Sequence, residues 1–324
     1  MISKNVLVRK SVTAAIAVVS VASMAGLAPA TASAAPTAPA AIGLISIDAE
    51  HTSPATLNHN KRVAVRVLTQ LFEDGNLAVA NEHVRADLIQ HSPVIADGRA
   101  GLKAFVQESR QLHPDQTYAV TRVIAQGNLV LVHANPIHEP GTRGTAVMTI
   151  LRFDEKGKIA EYWDTVQDVP ATTVNGNDMF GTVSNPDTNQ PSGPSKQTAF
   201  SQEVVTSYFN TLLVEKNPDA VDYLTPEFYQ HNPVSPSGSA GLREQFAQFF
   251  QAFPDTIAEL NSVIAEKDYV AIHFRYRLSP AERGQSIMGI FRVTKQTNGE
   301  YKIIEHWDVH QEIPATSAND NTMF

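Results

Sequence analysis

The sequence predicts two tandem α+β domains, each with helices packed on the concave face of a curved antiparallel sheet. Three observations predict it. The chain repeats itself, each copy runs helices first and strands after, and a polar stretch separates the copies.

The repeat is direct. Gln90-His91-Ser92-Pro93-Val94 is answered by Gln230-His231-Asn232-Pro233-Val234, and Ala100-Gly101-Leu102 by Ala240-Gly241-Leu242. Glu161-Tyr162-Trp163-Asp164 is answered by Glu305-His306-Trp307-Asp308, and Met179-Phe180 by Met323-Phe324. The offset is constant until the last strand pair, where the second copy carries extra residues that a hairpin loop is expected to absorb. Residues 181–196, GTVSNPDTNQPSGPSK, have almost nothing to bury and read as a linker. The copies are therefore placed at 58–180 and 197–324.

Each copy opens with an apolar stripe at helical spacing: Val63, Val67, Leu68 and Leu71 in the first, Val205, Tyr208, Phe209 and Leu212 in the second. A short segment follows, at 78–88 and 219–228. A second helix then carries Leu102, Phe105 and Val106, matched by Leu242, Phe246 and Phe249, with Pro114 and Pro254 soon after as stop signals. Four β-type runs complete each copy, at 117–126, 128–137, 144–153 and 158–168, and at 256–265, 268–278, 284–295 and 300–312.

The first residues carry Lys4, Arg9 and Lys10, then an apolar run over 12–27, then Ala32-Ser33-Ala34. This pattern predicts a signal peptide over 1–34 and a secreted protein with no stable membrane anchor after cleavage. Cleavage after Ala30 is the alternative. Residues 35–57, rich in Ala, Pro and Thr, read as a flexible mature N-terminus. A net charge of -8 argues against a nucleic-acid partner, and the absence of cysteine excludes disulfides, thiolate nucleophiles and thiolate metal sites.

Asp164 and Asp308 stand in otherwise aromatic and aliphatic strands, where burial would raise a carboxyl pKa toward a working acid or base. They are the first candidates, against the alternative of solvent-facing or capping carboxylates. His91 and His231 precede Ser/Asn-Pro steps that fix an extended chain and could aim the imidazoles into a cone mouth. His133 and His273 lie mid-strand in apolar runs; they are candidates too, with hydrogen-bonded core histidines as the ordinary alternative. His306 replaces Tyr162 in the second copy. Strand alternation puts Glu161, Trp163 and Gln167 on one face and Tyr162 and Asp164 on the other unless a bulge intervenes. Tyr162, Gln167, Gln311, Trp163 and Trp307 are candidate substrate contacts, the tryptophans being better explained as packing. His91, His133 and Asp164 suggest a metal by residue type alone, so no metal is expected, and no motif calls for a cofactor.

Gln230-His231-Asn232-Pro233, Gly157-Lys158-Ile159-Ala160-Glu161-Tyr162-Trp163-Asp164, Ile304-Glu305-His306-Trp307-Asp308 and the Asn-x-x-Met-Phe endings together resemble the SnoaL-like branch of the nuclear transport factor 2-like superfamily. The resemblance covers both copies and implies two cones, each with a pocket, able to pair through their sheets as an internal pseudo-dimer. It also implies cofactor-independent acid/base chemistry (lyase, cyclase or isomerase) on a small hydrophobic carbonyl compound. The chain departs from the pattern where an acidic residue is expected before the Ile-Phe-Arg run: Thr149 and Gly289 stand there instead. That departure keeps open a non-catalytic ligand-binding or association module. If one copy alone is active, the second is favoured.

Overall fold

The structure is a computed structural model that describes residues 52–184 and 196–324. The predicted signal peptide, most of the N-terminal stretch and most of the linker lie outside the described residues.

The first repeat begins with α1 (Pro54–Phe72), opened by Ser53, whose hydroxyl accepts from the Thr56 amide, and by a proline in the first turn. The helix thus starts inside the stretch read as flexible. There follow α2 (Ala78–His83), β1 (Val84–Gln90), α3 (Gly98–Leu112), β2 (Thr117–Gln126), β3 (Leu129–Ile137), β4 (Thr145–Phe153) and β5 (Ile159–Asp168). The second repeat follows the same plan: α4 (Lys196–Phe209), extended by a π-helical turn, a 3-10 turn at Pro218–Tyr223, β6 (Leu224–Gln230), α5 (Ser239–Ala252), β7 (Ile257–Glu266), β8 (Tyr269–Arg277), β9 (Gln285–Lys295) and β10 (Tyr301–Glu312).

Each sheet has five strands, in the order β1-β5-β4-β3-β2 and β6-β10-β9-β8-β7. The sheets are mixed rather than antiparallel, because β1 and β6 run parallel to β5 and β10. Those two strands overlap the short segments that carried no strand reading: residues of like burial stand side by side in each, and a register shift interrupts each pairing, so alternation is broken. Bulges at equivalent points, between Val120 and Arg122 and between Leu260 and Ser262, bend each sheet around its helices. The turns before β4 and β9 need glycine. Gly144 and Gly284 have φ of +68° and +78°, and a Cβ at either would lie 2.1 or 2.2 Å from a carbonyl oxygen of the preceding strand.

The extra residues of the second copy do not enlarge a loop. β9 has 11 residues where β4 has 9, and β10 has 12 where β5 has 10, so the insertion lengthens both strands and leaves the turn alone.

One apolar core fills the space between helices and sheet in each repeat. A third joins the repeats: Leu131, Met148, Ile150 and Trp163 from one sheet meet Ala271, Met288, Ile290 and Trp307 from the other. The sheets therefore pack back to back, and the edges are clipped reciprocally. Gln126 Oε1 accepts from the Ala265 amide at 2.7 Å, and Glu266 Oε2 from the Ala125 amide at 2.8 Å.

The chain after each sheet crosses to the other repeat. Asn175 and Asn177 donate to carbonyls of Asn232, Ser235 and Gln230, while Asn319 and Asn321 donate to carbonyls of Ser92, Ile95 and Gln90. Residues 181–184, read as linker, belong to this crossing: the Trp307 indole donates to the Gly181 carbonyl, and Glu305 accepts from the Ser184 amide.

Candidate functional site

One cavity among the described residues, of about 810 Å³, is lined by both repeats. Its walls are largely aromatic and aliphatic, with Phe105 and Tyr118 in the first cone and Phe249 and Phe274 in the second. Two buried carboxyls line it from equivalent strand positions, Asp164 on β5 and Asp308 on β10, while Asp168 and Glu312 stand exposed at its edge. The strand alternation holds from Glu161 to Val166, because the β4–β5 register shift precedes it, and gives way at Gln167 and Asp168, which line the cavity side by side. Tyr162 and Asp164 thus face the cavity, and Trp163 faces the layer between the sheets.

The two carboxyls have opposite surroundings. Asp164 accepts from the Tyr162 hydroxyl at 3.2 Å, and burial raises its pKa to about 6. Burial also holds the Tyr162 phenol well above its ordinary value, so the phenol remains a donor. Burial pushes Asp308 up as well, but the charges and hydrogen bonds of its neighbours outweigh it and hold the group at about 2. Its Oδ2 accepts from Asn232 Nδ2 at 2.8 Å and lies 2.9 Å from His310 Nε2, with His306 Nε2 at 4.0 Å. In both residues the remaining oxygen, Oδ1, is buried with no hydrogen-bond partner among the described residues.

His306 is aimed by Gln230, whose Oε1 lies 2.9 Å from Nδ1 and also accepts from the amides of His231 and Asn232. A carbonyl oxygen can only accept, so Nδ1 carries the proton and Nε2 is the acceptor of the neutral ring. Burial lowers the pKa of this ring to about 4. Gly289 leaves the ring its space: a Cβ there would lie 3.1 Å from Nε2. The glycine in place of an acid is thus matched to the histidine that replaces tyrosine.

Of the sequence candidates, Asp164, Tyr162, Gln167, Asp308, His306 and Gln311 line the cavity. Gln167 and Gln311 also tie the repeats together, each lending its side-chain oxygen to a backbone amide of the other repeat, His310 and Val166 respectively. The other candidates are elsewhere. His91 stacks on Trp163 at 4.6 Å, and its ring nitrogens face Glu161 Oε1 and the Thr322 carbonyl at 2.8 and 2.6 Å. His231 repeats this on Trp307, with Glu305 at 2.8 Å and the Asp178 carbonyl at 2.6 Å. These rings hold the crossing segments and do not line the cavity. His133 packs on Phe180, and His273 lies 2.9 Å from Ser286 Oγ and packs on Phe324. Burial drives the pKa of His133 well down and that of His273 to about 3, as expected of core histidines.

The sequence reading missed His310, Asn232 and Gln230 as cavity residues. His310 was legible, standing two residues beyond Asp308 on the same strand face. Asn232 and Gln230 reach the cavity only because β6 pairs with β10, and that strand was not anticipated.

Comparison with solved structures finds partial likenesses. A candidate isomerase of the SnoaL-like family from Agrobacterium tumefaciens str. C58 is 14% identical, covering 34% of this chain and 98% of its own, with a TM-score of 0.31. A candidate polyketide cyclase from Bacillus cereus ATCC 10987 is 20% identical, covering 40% and 87%, with a TM-score of 0.33. A SnoaL-like protein of unknown function from Burkholderia thailandensis E264 is 14% identical, covering 36% and 98%, with a TM-score of 0.30. Comparison with curated proteins finds no match. The model of the SnoaL-like domain matches twice, at residues 65–162 and 205–306, which together span more than half of the sequence. With two cones, two matches and one repeated strand plan, the chain belongs to the SnoaL-like domain family and carries that domain in tandem.

Proposed function

We propose that the protein is a secreted, cofactor-independent acid/base enzyme, a lyase, cyclase or isomerase, acting on a small, mostly apolar carbonyl compound. One observation carries the reading: two buried carboxyls at equivalent positions line one apolar cavity, with pKa values pushed apart. Environments that separate paired carboxyls in this way mark acid and base roles. Asp164 exchanges a proton near neutral pH, the condition under which a general acid or base works best. Tyr162, held as a neutral phenol, turns its single O–H from Asp164 to the developing enolate oxygen when Asp164 carries the proton. Asp308 stays ionised, fixed through Oδ2 by Asn232 and His310, and its carboxylate takes the proton beside the carbonyl. The basic, apolar, then small-residue pattern of the first residues supports export.

The test is a turnover screen of apolar ketones and aldehydes with Asp164→Asn, Asp308→Asn and the double variant. Each single change is expected to lower turnover at least about 100-fold with circular dichroism unchanged. Turnover that survives the double change removes both residues from the chemistry. Saturable binding with no product from any compound replaces the enzyme with a ligand-holding module.

A further inference from the structure

We propose that the two cones form one binding site per chain, which seats a single elongated apolar compound carrying a carbonyl or similar polar group toward each end. The inference deepens the reading above and rests on it for the carbonyl class. Its ground is the continuity of the cavity. The same space is bounded by Tyr118, Val147 and Asp164 of the first repeat and by Phe274, Ile287 and Asp308 of the second. At about 810 Å³ the whole space falls within the range of roughly 300–1,000 Å³ that holds one drug-sized ligand.

The waist lies where β5 meets β10. There the Val166 amide donates to Gln311 and the His310 amide to Gln167, both at close range, so the cones join across a fixed seam. Val166 and His310 both line the cavity, one on each side of the seam. The ends differ in chemistry. The first offers a carboxyl that is hydrogen-bonded to a phenol and can donate to an oxygen when protonated. The second offers an ionised carboxylate beside His306 and Asn232. A ligand carbonyl can accept from protonated Asp164 at the first end and from the second N–H of Asn232 at the other, which His310 Nε2 leaves unclaimed because it donates to Asp308. An aliphatic or aromatic body between two polar ends fits this order of surfaces, whereas two copies of one short ligand would meet unlike sites.

The experiment is isothermal titration calorimetry of the full chain with two probes. Dibenzoylhexane carries an aryl ketone at each end of a methylene chain, and acetophenone represents a single end. Dibenzoylhexane is expected to bind once per chain and more tightly than acetophenone. Val147→Phe narrows one cone and Ile287→Phe the other, and each is expected to weaken dibenzoylhexane about tenfold. Should either variant fail to fold, Asp164→Leu and Asn232→Leu remove the hydrogen-bond donor at the same ends with nearly unchanged side-chain size. Two molecules of dibenzoylhexane per chain, affinity indifferent to changes in one repeat, or no binding of either probe would each overturn the proposal. Product formation is followed separately. One-to-one binding without turnover sinks the catalytic reading alone, and turnover with two molecules bound sinks this one alone.

Discussion

The fate of a carboxyl is decided by its nearest few side chains. Asp164 and Asp308 are equally buried on equivalent strands, yet one has a phenol beside it and the other two imidazoles and an amide, so their pKa values separate to about 6 and about 2. The two titrations have opposite consequences for stability. Folding raises Asp164 above its unfolded value of 3.8, so the native state binds the extra proton; stability is fullest below that value and falls as pH rises through 6. Asp164→Asn should remove a penalty of about 3 kcal/mol above that range, raising the melting temperature in mildly alkaline buffer and converging with wild type in acid. Equal melting temperatures at alkaline pH would contradict the raised pKa. Asp308 behaves in reverse: its contribution is complete above 3.8 and disappears as pH falls toward 2. His310→Gln should lift the Asp308 pKa, read as an upward move of the acid limb of the turnover–pH profile; an unmoved limb would detach His310 from Asp308. At this scale the sequence announced the residue types and their alternation. It was silent on which histidines meet which aspartate, because His306 is aimed by Gln230, a residue brought close only by strand pairing.

Between residue and molecule stand the segments that cross from one repeat to the other. The Met-Phe endings were legible as a repeated motif, but their role was not, since nothing local in an Asn-rich, irregular stretch tells which surface it will meet. His91 and His231 were misread for the same reason: their partners, Thr322 and Asp178, belong to crossing segments far away in sequence. Strand edges and turns, by contrast, were placed within a few residues, because hydrophobic alternation and glycine turns are local signals. The clasp yields a graded prediction. Glu305 has 0% side-chain exposure and takes His231 and Ser184, whereas Glu161 is 16% exposed. Glu305→Gln breaks a buried pair and should cost roughly 3–5 kcal/mol in urea denaturation. Glu161→Gln, nearer solvent, should cost distinctly less. Equal costs would mean that burial does not govern the clasp.

For the molecule as a whole, the shared layer between the sheets decides whether a repeat can stand alone. Separating the repeats would uncover Met148, Ile150, Trp163, Met288, Ile290 and Trp307, an apolar face too large to leave in water. Residues 52–184 expressed alone should therefore self-associate or bind 8-anilinonaphthalene-1-sulfonate strongly, whereas the full chain should scatter X-rays as one compact particle. A monomeric, dye-silent first repeat, or two widely spaced lobes in the full chain, would contradict the pairing. The duplication and the α+β plan were legible from matched residues spread along the chain. The joined cavity was not, since no sequence pattern encodes where two concave surfaces meet.

Covalent pairing also changes what a single codon can do. In a symmetric homodimer one base change alters both cavities at once, so neither can drift without the other. Here Tyr162 with Thr149 and His306 with Gly289 occupy equivalent places and have gone separate ways. Gene duplication within one reading frame thus released each half from copying its twin, and a mutation in either half can be selected on its own merits.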